Sequence, residues 1–354
     1  MDRKYSLDTS IIATSIFDIS VVVPTFNGAD RLPSLLEGVR KLLIPKTLSW
    51  EIIVIDNNST DNTDDVVKSL QQQWQRCPFR CGFEPRQGAA YARRAGVDLA
   101  QGHYIVFVDD DVFLDPHWIV RAWKFARIHS DAGAIAGPII GNYETPPPDG
   151  FARIQGYLAV RDYPAYNNQI SLFSPEALRL PPSAALLVNR QAWLEAVPRE
   201  QILTGRTPQL LVQGDDYEPL LHLHKQGWKI WFVPELVSYH QIPAWRLTQQ
   251  YLLDIARACG LATYTLRLVN ASRSQHMYLA WKTILGNLKR LLIRDLEWLF
   301  SNPSMRKIIR IEIAFLSASC WSPIFHYRQL CPQFRARLAQ SDDCGVIGAI
   351  ATQD

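Results

Sequence analysis

The run Tyr104-Ile105-Val106-Phe107-Val108-Asp109-Asp110-Asp111 limits what this chain can fold into more than any other stretch. Five apolar or aromatic residues in a row predict a strand buried on both faces, because a half-exposed strand alternates polar and apolar positions. The strand then runs into three carboxylates. Crowded negative charge at a strand end opposes folding unless a cation or hydrogen-bond donors compensate it. In open α/β sheets, ligands bind beyond the carboxyl ends of the strands, where these aspartates fall. Carboxylate oxygens of this kind suit Mg²⁺ or Mn²⁺. The plainer alternative is a turn whose aspartates cap the next helix.

The same strand-then-polar-loop pattern occurs upstream. Ile19 to Val23 predicts a short buried strand ended by Pro24, and Thr25-Phe26-Asn27-Gly28 follows before helical spacing from Arg31 to Leu43. A second strand, Glu51 to Ile55, ends in the polar run Asp56 to Thr63, whose short side chains can cap a helix from Asp64. Phe83 to Gly88 then leads into a helix from Ala89 to Ala100. Glycine before a helix lets a ligand approach the N-terminus, which favours anions. Arg86 is placed to meet a base or a phosphate, or else is an ordinary surface arginine. Alternating strands and helices of this order predict a doubly wound, mainly parallel sheet.

Downstream, residues 142–182 are rich in Pro, Tyr, Gly and Asn and predict a long loop. Pro181 to Val188 is a small-residue stretch entering a strand, leaving room for an acceptor or simply packing closely. A second acidic cluster, Gly214-Asp215-Asp216-Tyr217-Glu218, precedes a helix. Adjacent carboxylates permit one raised pKa, useful for taking a proton from a hydroxyl; a helix N-cap is the alternative. Gly227 to Pro234 predicts a last strand, followed by His240. His222 and His224 are two apart on a predicted helix, hence on different faces, and receive no role.

The 354 residues are 47% hydrophobic and 20% charged, which excludes a disordered chain. A net charge of +3 gives no argument for nucleic acid, but it is unevenly spread. Residues 244–337 hold 14 Lys and Arg against 4 Asp and Glu. Helical periodicity covers Leu247–Val269, Met277–Phe300 and Met305–Phe315. On the second of these, Ile284, Leu285, Leu288, Leu291, Leu292, Leu296 and Leu299 share one broad face, with Trp281 and Trp298 near the ends. Such a basic amphipathic helix suits an anionic membrane surface, or it packs as a cap on the preceding domain. No run reaches the ~18 uncharged apolar residues of a membrane span; the longest, Ile313 to Phe325, contains Pro323. The N-terminus lacks a secretory pattern, and six scattered cysteines form no zinc spacing, so reduced cytosolic thiols are expected.

The motifs Val23-Pro24-Thr25-Phe26-Asn27, Asp56-Asn57-Asn58-Ser59-Thr60-Asp61, Arg86-Gln87-Gly88 and Asp109-Asp110-Asp111 resemble, in order, those of family 2 glycosyltransferases. Glu84 to Ala90, Leu180-Pro181-Pro182 before Arg190 to Glu195, and His240 to Leu247 resemble the cyanobacterial hormogonium-polysaccharide glycosyltransferases. The resemblance covers about residues 18–270. It implies an α/β, GT-A type doubly wound mixed sheet, Rossmann-like, with a C-terminal α-helical extension. Residues 1–17 are then a leader, 18–243 the glycosyltransferase domain, 244–337 a basic amphipathic helical region and 338–354 a flexible tail.

The resemblance also implies roles. Pro24, Thr25, Asn27, Asp56, Asn58, Arg86, Gly88, Asp109 and Asp110 would bind a nucleotide-diphosphate sugar; Asp109, Asp111 and His240 would hold Mn²⁺ or Mg²⁺. Asp216 would be the general base of an inverting transfer to a growing extracellular polysaccharide or lipid-linked glycan, supported by Asp215 and Glu218. This chain has Asp215 where the family prefers glutamate. The expected location is the cytoplasm, with peripheral contact at the inner face of the plasma membrane. A catalytically silent, membrane-docked assembly component is the competing reading. A nucleotidyltransferase is a third, but it would lack the second acidic cluster and the histidine after it.

Overall fold

The computed structural model describes residues 16–163, 166–207 and 212–342. Its strands are β1 (Phe17–Thr25), β2 (Trp50–Asp56), β3 (Phe79–Phe83), β4 (Gly102–Val108), β5 (Val112–Leu114), β6 (Ala132–Ala136), β7 (Ile139–Tyr143), β8 (Ser171–Leu172), β9 (Ala185–Asn189), β10 (Lys229–Phe232) and β11 (Ser238–Ile242). Its α-helices are α1 (Leu32–Arg40), α2 (Thr63–Gln72), α3 (Ala89–Leu99), α4 (Trp118–Ile128), α5 (Arg190–Ala196), α6 (Tyr217–Lys225), α7 (Gln249–Val269), α8 (His276–Phe300), α9 (Pro303–Phe325) and α10 (Cys331–Asp342). Residues 1–15 of the expected leader and 343–354 of the expected tail lie outside the described residues. The start of that tail is helical, because α10 continues past Leu338 to Asp342.

The main sheet has the order β3-β2-β1-β4-β9-β6-β10-β8. β3, β2, β1 and β4 are parallel, as the alternating pattern predicts. β9 inserts antiparallel between β4 and β6, so the sheet is mixed. β4 is therefore flanked on both edges and both faces. Val106 joins the core under α1 and α4, with Leu35 and Trp118. Ile105 and Phe107 point the other way, onto α3 and α5, with Val97 and Trp193. Complete burial of Phe107 contributes about 1.5–3 kcal/mol.

A small second sheet, β5-β11-β7, stands beside the aspartate-bearing end of β4. Its register sets His240 opposite Val112, and the Gln241 amide donates to the Asp111 carbonyl at 2.9 Å. Residues distant in sequence are thus brought together by strand pairing alone.

Beyond Pro243 the chain is helical. α9 packs on α7 and α8, with Ile308, Ile309, Ile311 and Leu316 buried. Gly260 permits the α7–α9 approach, since a Cβ there would collide with the Phe315 carbonyl. Arg153 ties this layer to the rest by pairing with Glu297 on α8 at 2.6 Å and Glu312 on α9 at 2.5 Å. Pro303–Ala336 is long and apolar enough to cross a membrane by length and composition, although it contains no uncharged run of ~18 residues. Pro323 does not end that helix; a π-turn over His326–Leu330 carries it on. About 44% of its most apolar stretch is buried within the fold.

Candidate active site

The site is built around a buried arginine. α3 starts at Gly88, whose φ of 143° and closeness to the Thr204 carbonyl leave no room for a side chain. One turn further, Arg93 points inward from α3. Its Nη1 lies 2.8 Å from Asp215 Oδ2 and 2.9 Å from Asp216 Oδ1, and its Nη2 lies 3.2 Å from Asp109 Oδ1. Three acids from two distant segments thus share one cation. Burial opposes the charge on Arg93, but Asp216, Asp109 and Asp215 outweigh it and hold its pKa above the ordinary value. Burial pushes Asp109 up to about 6, with Arg93 opposing the rise. Burial, followed by the charge of Asp216, also raises Asp215. Asp216 Oδ1 is buried and, despite its nearness to Arg93, accepts no hydrogen bond.

A second cluster forms where β11 meets the end of β4. His240 Nδ1 donates to the Leu158 carbonyl at 2.8 Å, and its Nε2 lies 3.1 Å from Arg246 Nη1. Asp111 Oδ1 is 3.3 Å from that Nε2, and Asp111 Oδ2 is 2.9 Å from Arg246 Nη2. Burial alone would raise Asp111; His240 and then Arg246 reverse the effect and hold its carboxyl well below the usual range.

Several predicted binding residues serve the scaffold instead of standing free. Asp110 accepts a forked pair of bonds from Arg31 at 2.8 and 2.9 Å, and another from the Thr25 hydroxyl at 2.6 Å. Asn27, in left-handed backbone at φ 49°, accepts from the Thr60 amide at 2.8 Å and so joins the loops after β1 and β2. Asp56 accepts from the Ser59 amide at 3.0 Å, and Asn58 turns that loop at φ 61°. Pro24 stays in register with Ile55. Arg86 is held by Glu84 and Glu200 at 3.0 and 2.8 Å and lies over the Tyr91 ring. The Glu218 carboxylate accepts from the amides of Ile202 and Leu203, pinning the segment beside Gly88.

Asp109, Asp111, Asp215, Asp216 and His240 line one cavity of about 580 Å³, floored by Arg93. Its far wall comes from α7 and α8, through Arg267, Asn287 and Arg290. Asp56, Asn58 and Arg86 lie outside it, along the ends of β2 and β3. Arg93, Arg246 and Arg31 received no role from the sequence. The available signal for Arg93 was the pair Arg93-Arg94 amid the small residues of α3, which leaves two cations on a helix otherwise suited to burial.

The donor chemistry of Asp109, Asp111 and His240 fits Mn²⁺ or Mg²⁺: two carboxylates, and an imidazole whose Nδ1 bond fixes its orientation. Among the described residues, no three His, Cys, Asp or Glu side chains are gathered tightly enough to close a metal shell. The guanidinium of Arg246 lies against Asp111 and His240 instead.

Residues 20–173 match the family model "Glycosyl transferase family 2". The chain is 24% identical over 222 residues to glycosyltransferase AglE of Haloferax volcanii, covering 63% of this chain and 66% of the relative. It is 36% identical over 93 residues to a GalNAc(5)-diNAcBac-PP-undecaprenol beta-1,3-glucosyltransferase of Campylobacter jejuni, covering 26% of this chain and 29% of the relative. The chain thus spans less than two thirds of the length of these relatives. A mannosyltransferase from Pyrobaculum calidifontis, solved with GDP-Man and Mn²⁺, shares the fold at TM-score 0.56 and 16% identity, over 90% of each chain. The motif-bearing end of the parallel sheet falls inside the residues that match the family 2 glycosyltransferase model, and the chain shares the GT-A fold.

Proposed function

We propose that this protein is an inverting, metal-dependent glycosyltransferase that moves a sugar from a nucleotide-diphosphate sugar to a growing extracellular polysaccharide or lipid-linked glycan. One observation carries the reading: the half-buried carboxylate of Asp216, whose buried Oδ1 accepts no hydrogen bond, shares a cavity with Asp109, Asp111 and His240. The acceptor hydroxyl attacks the anomeric carbon as the bond from that carbon to the diphosphate oxygen breaks. Asp216 takes the hydroxyl proton, and attack opposite the leaving group inverts the configuration. Arg93 holds Asp216 and Asp109 at fixed separation and screens their mutual repulsion. Asp109, Asp111 and His240 would hold a divalent ion, which would supply charge neutralisation for the departing diphosphate. Asp56 and Arg86 are the groups for ribose or base.

The GDP-Man of the Pyrobaculum enzyme supports a nucleotide-sugar donor, and the undecaprenol-linked glycan in the Campylobacter name supports a lipid-linked acceptor. The extracellular-polysaccharide assignment rests on the hormogonium-like runs Glu84 to Ala90 and His240 to Leu247. The proposed location is the cytoplasm. The test is a panel of nucleotide sugars with Mn²⁺ and mixed glycan acceptors, read by released nucleoside diphosphate. Release from one donor, abolished by EDTA, is expected. Pyrophosphate release, or no turnover with any donor, overturns the reading.

A further inference from the structure

α8 is built inside out. Its buried residues are Thr283 and Asn287, at 1% and 5% exposure, whereas Leu285, Leu288, Leu292 and Leu296 are 59%, 48%, 60% and 58% exposed. At about 100° per residue these leucines, with Met277, Trp281 and Leu299, fall on one outward arc roughly 33 Å long. The polar side of the helix faces the protein: Asn287 and Arg290 line the catalytic cavity, and Glu297 pairs with Arg153. A helix in water buries its apolar stripe; one that buries its polar stripe has an apolar medium outside.

The surface does not stop at α8. Cys320 Sγ approaches the Ile284 carbonyl at 3.6 Å, and the Tyr264 hydroxyl meets both the His276 carbonyl and the Tyr327 hydroxyl at 3.1 Å. Exposed Trp321, Ile324 and Tyr327 therefore lie beside the α8 N-terminal half, next to exposed Tyr278 and Trp281. Tyr and Trp gathered in this way suit the boundary between hydrocarbon and water.

We infer that this face docks on an anionic bilayer, with α8 lying in the plane of the interface. Charge chooses the occupant. Exposed Lys282 and Lys289 border the arc, against Asp295 alone at its opposite edge, and the segment 244–337 has ten more basic than acidic residues. Anionic headgroups complement that charge, and the attraction is salt-sensitive. A second copy of this chain fits less well, since an antiparallel twofold pairing of the stripes sets the Lys282 and Lys289 edges of the two copies against each other. α9 does not span in this fold, because its apolar residues are shared with α7. One face of α8 thus walls the cavity while the other faces lipid, which sets the cavity beside the membrane. If the transfer reading holds, a lipid-linked acceptor reaches Asp216 without leaving the surface.

Flotation of the full chain with phosphatidylcholine vesicles of graded phosphatidylglycerol content tests this without donor or acceptor, so its outcome is separate from the transfer assay. Binding should rise with anionic lipid and fall, without vanishing, in high salt. Leu288→Glu/Leu292→Glu should weaken it at least tenfold with unchanged thermal unfolding; Lys282→Glu/Lys289→Glu should weaken it mainly at low salt. No flotation at any composition overturns the inference. So does a double-leucine variant that floats like the parent, or a concentration-dependent dimer that this variant breaks while vesicles go unbound.

Discussion

Arg93 Nη1 lies 2.8 Å from Asp215 Oδ2, in a contact where both side chains are nearly closed to solvent. An unpaired buried charge is among the most destabilising features a fold can contain. Arg93 cancels part of the charge that Asp109, Asp215 and Asp216 bring to one place.

Arg93→Met should therefore destabilise the fold by about 3–5 kcal/mol, the range for removing one partner of a buried pair. Adding Asp215→Asn to Arg93→Met should recover part of that loss, since one fewer carboxylate is left uncompensated. Urea unfolding of both variants checks this. Equal stability of the single and double variants would remove Arg93 as the compensating charge.

Asp216→Asn should lower transfer by about 10²–10⁴-fold, the usual range for losing a positioned base. The amide is nearly the same size as the carboxylate it replaces. Donor affinity, read by calorimetry, should change little. Retained activity would move the base to Asp215, the neighbour on the same arginine.

Arg246 lies where a cation is wanted, against Asp111 and His240. On the proposed metal role, Mn²⁺ would compete with it for those groups. Arg246→Gln is expected to bind Mn²⁺ several-fold more tightly in the absence of nucleotide, by titration calorimetry, and to gain a larger Mn²⁺-dependent thermal shift. It should be less stable than the parent in EDTA, because Asp111 then loses a partner. Weaker Mn²⁺ binding in the variant would mean that Arg246 supports the ion instead of competing with it.

The candidate acids were legible in the sequence because each sits at the end of a recognisable strand or ahead of a helix. Asp109, Asp111, Asp216 and His240 do meet at one cavity. Arg93 was illegible because its partners lie 16 and 122 positions away, and an arginine on a helix ordinarily reads as solvated. Thr25 and Asp110 looked like ligand groups because their bonds, to each other across 85 positions and to Arg31, are invisible along the chain. The periodicity of α8 found most of its apolar face, but it also placed Ile284 and Leu291 there, which are half-buried. Only the tertiary contacts of Asn287 and Glu297 reveal that this face points outward. The antiparallel β9 was likewise hidden, since a buried strand has the same apolar run in either direction.

His326 lies in the π-turn after α9, buried, with Nδ1 2.9 Å from the Thr265 hydroxyl. Burial, aided by nearby His276, lowers its pKa from 6.5 to about 4. Between those values the unfolded chain takes up a proton that the folded chain refuses. The unfolded state then binds more protons, so stability must fall as pH drops from 6.5 toward 4, by at most about 1.4 kcal/mol per pH unit from this group. Above 6.5 both states are neutral and the contribution is constant. His326→Gln keeps a side-chain partner for Thr265 without the titration. Urea unfolding at several pH values across this window should give a shallower decline for the variant than for the parent, while the carboxylates contribute equally to both. Parallel declines would mean that His326 is protonated in the folded state and that the contact with Thr265 tolerates the charge.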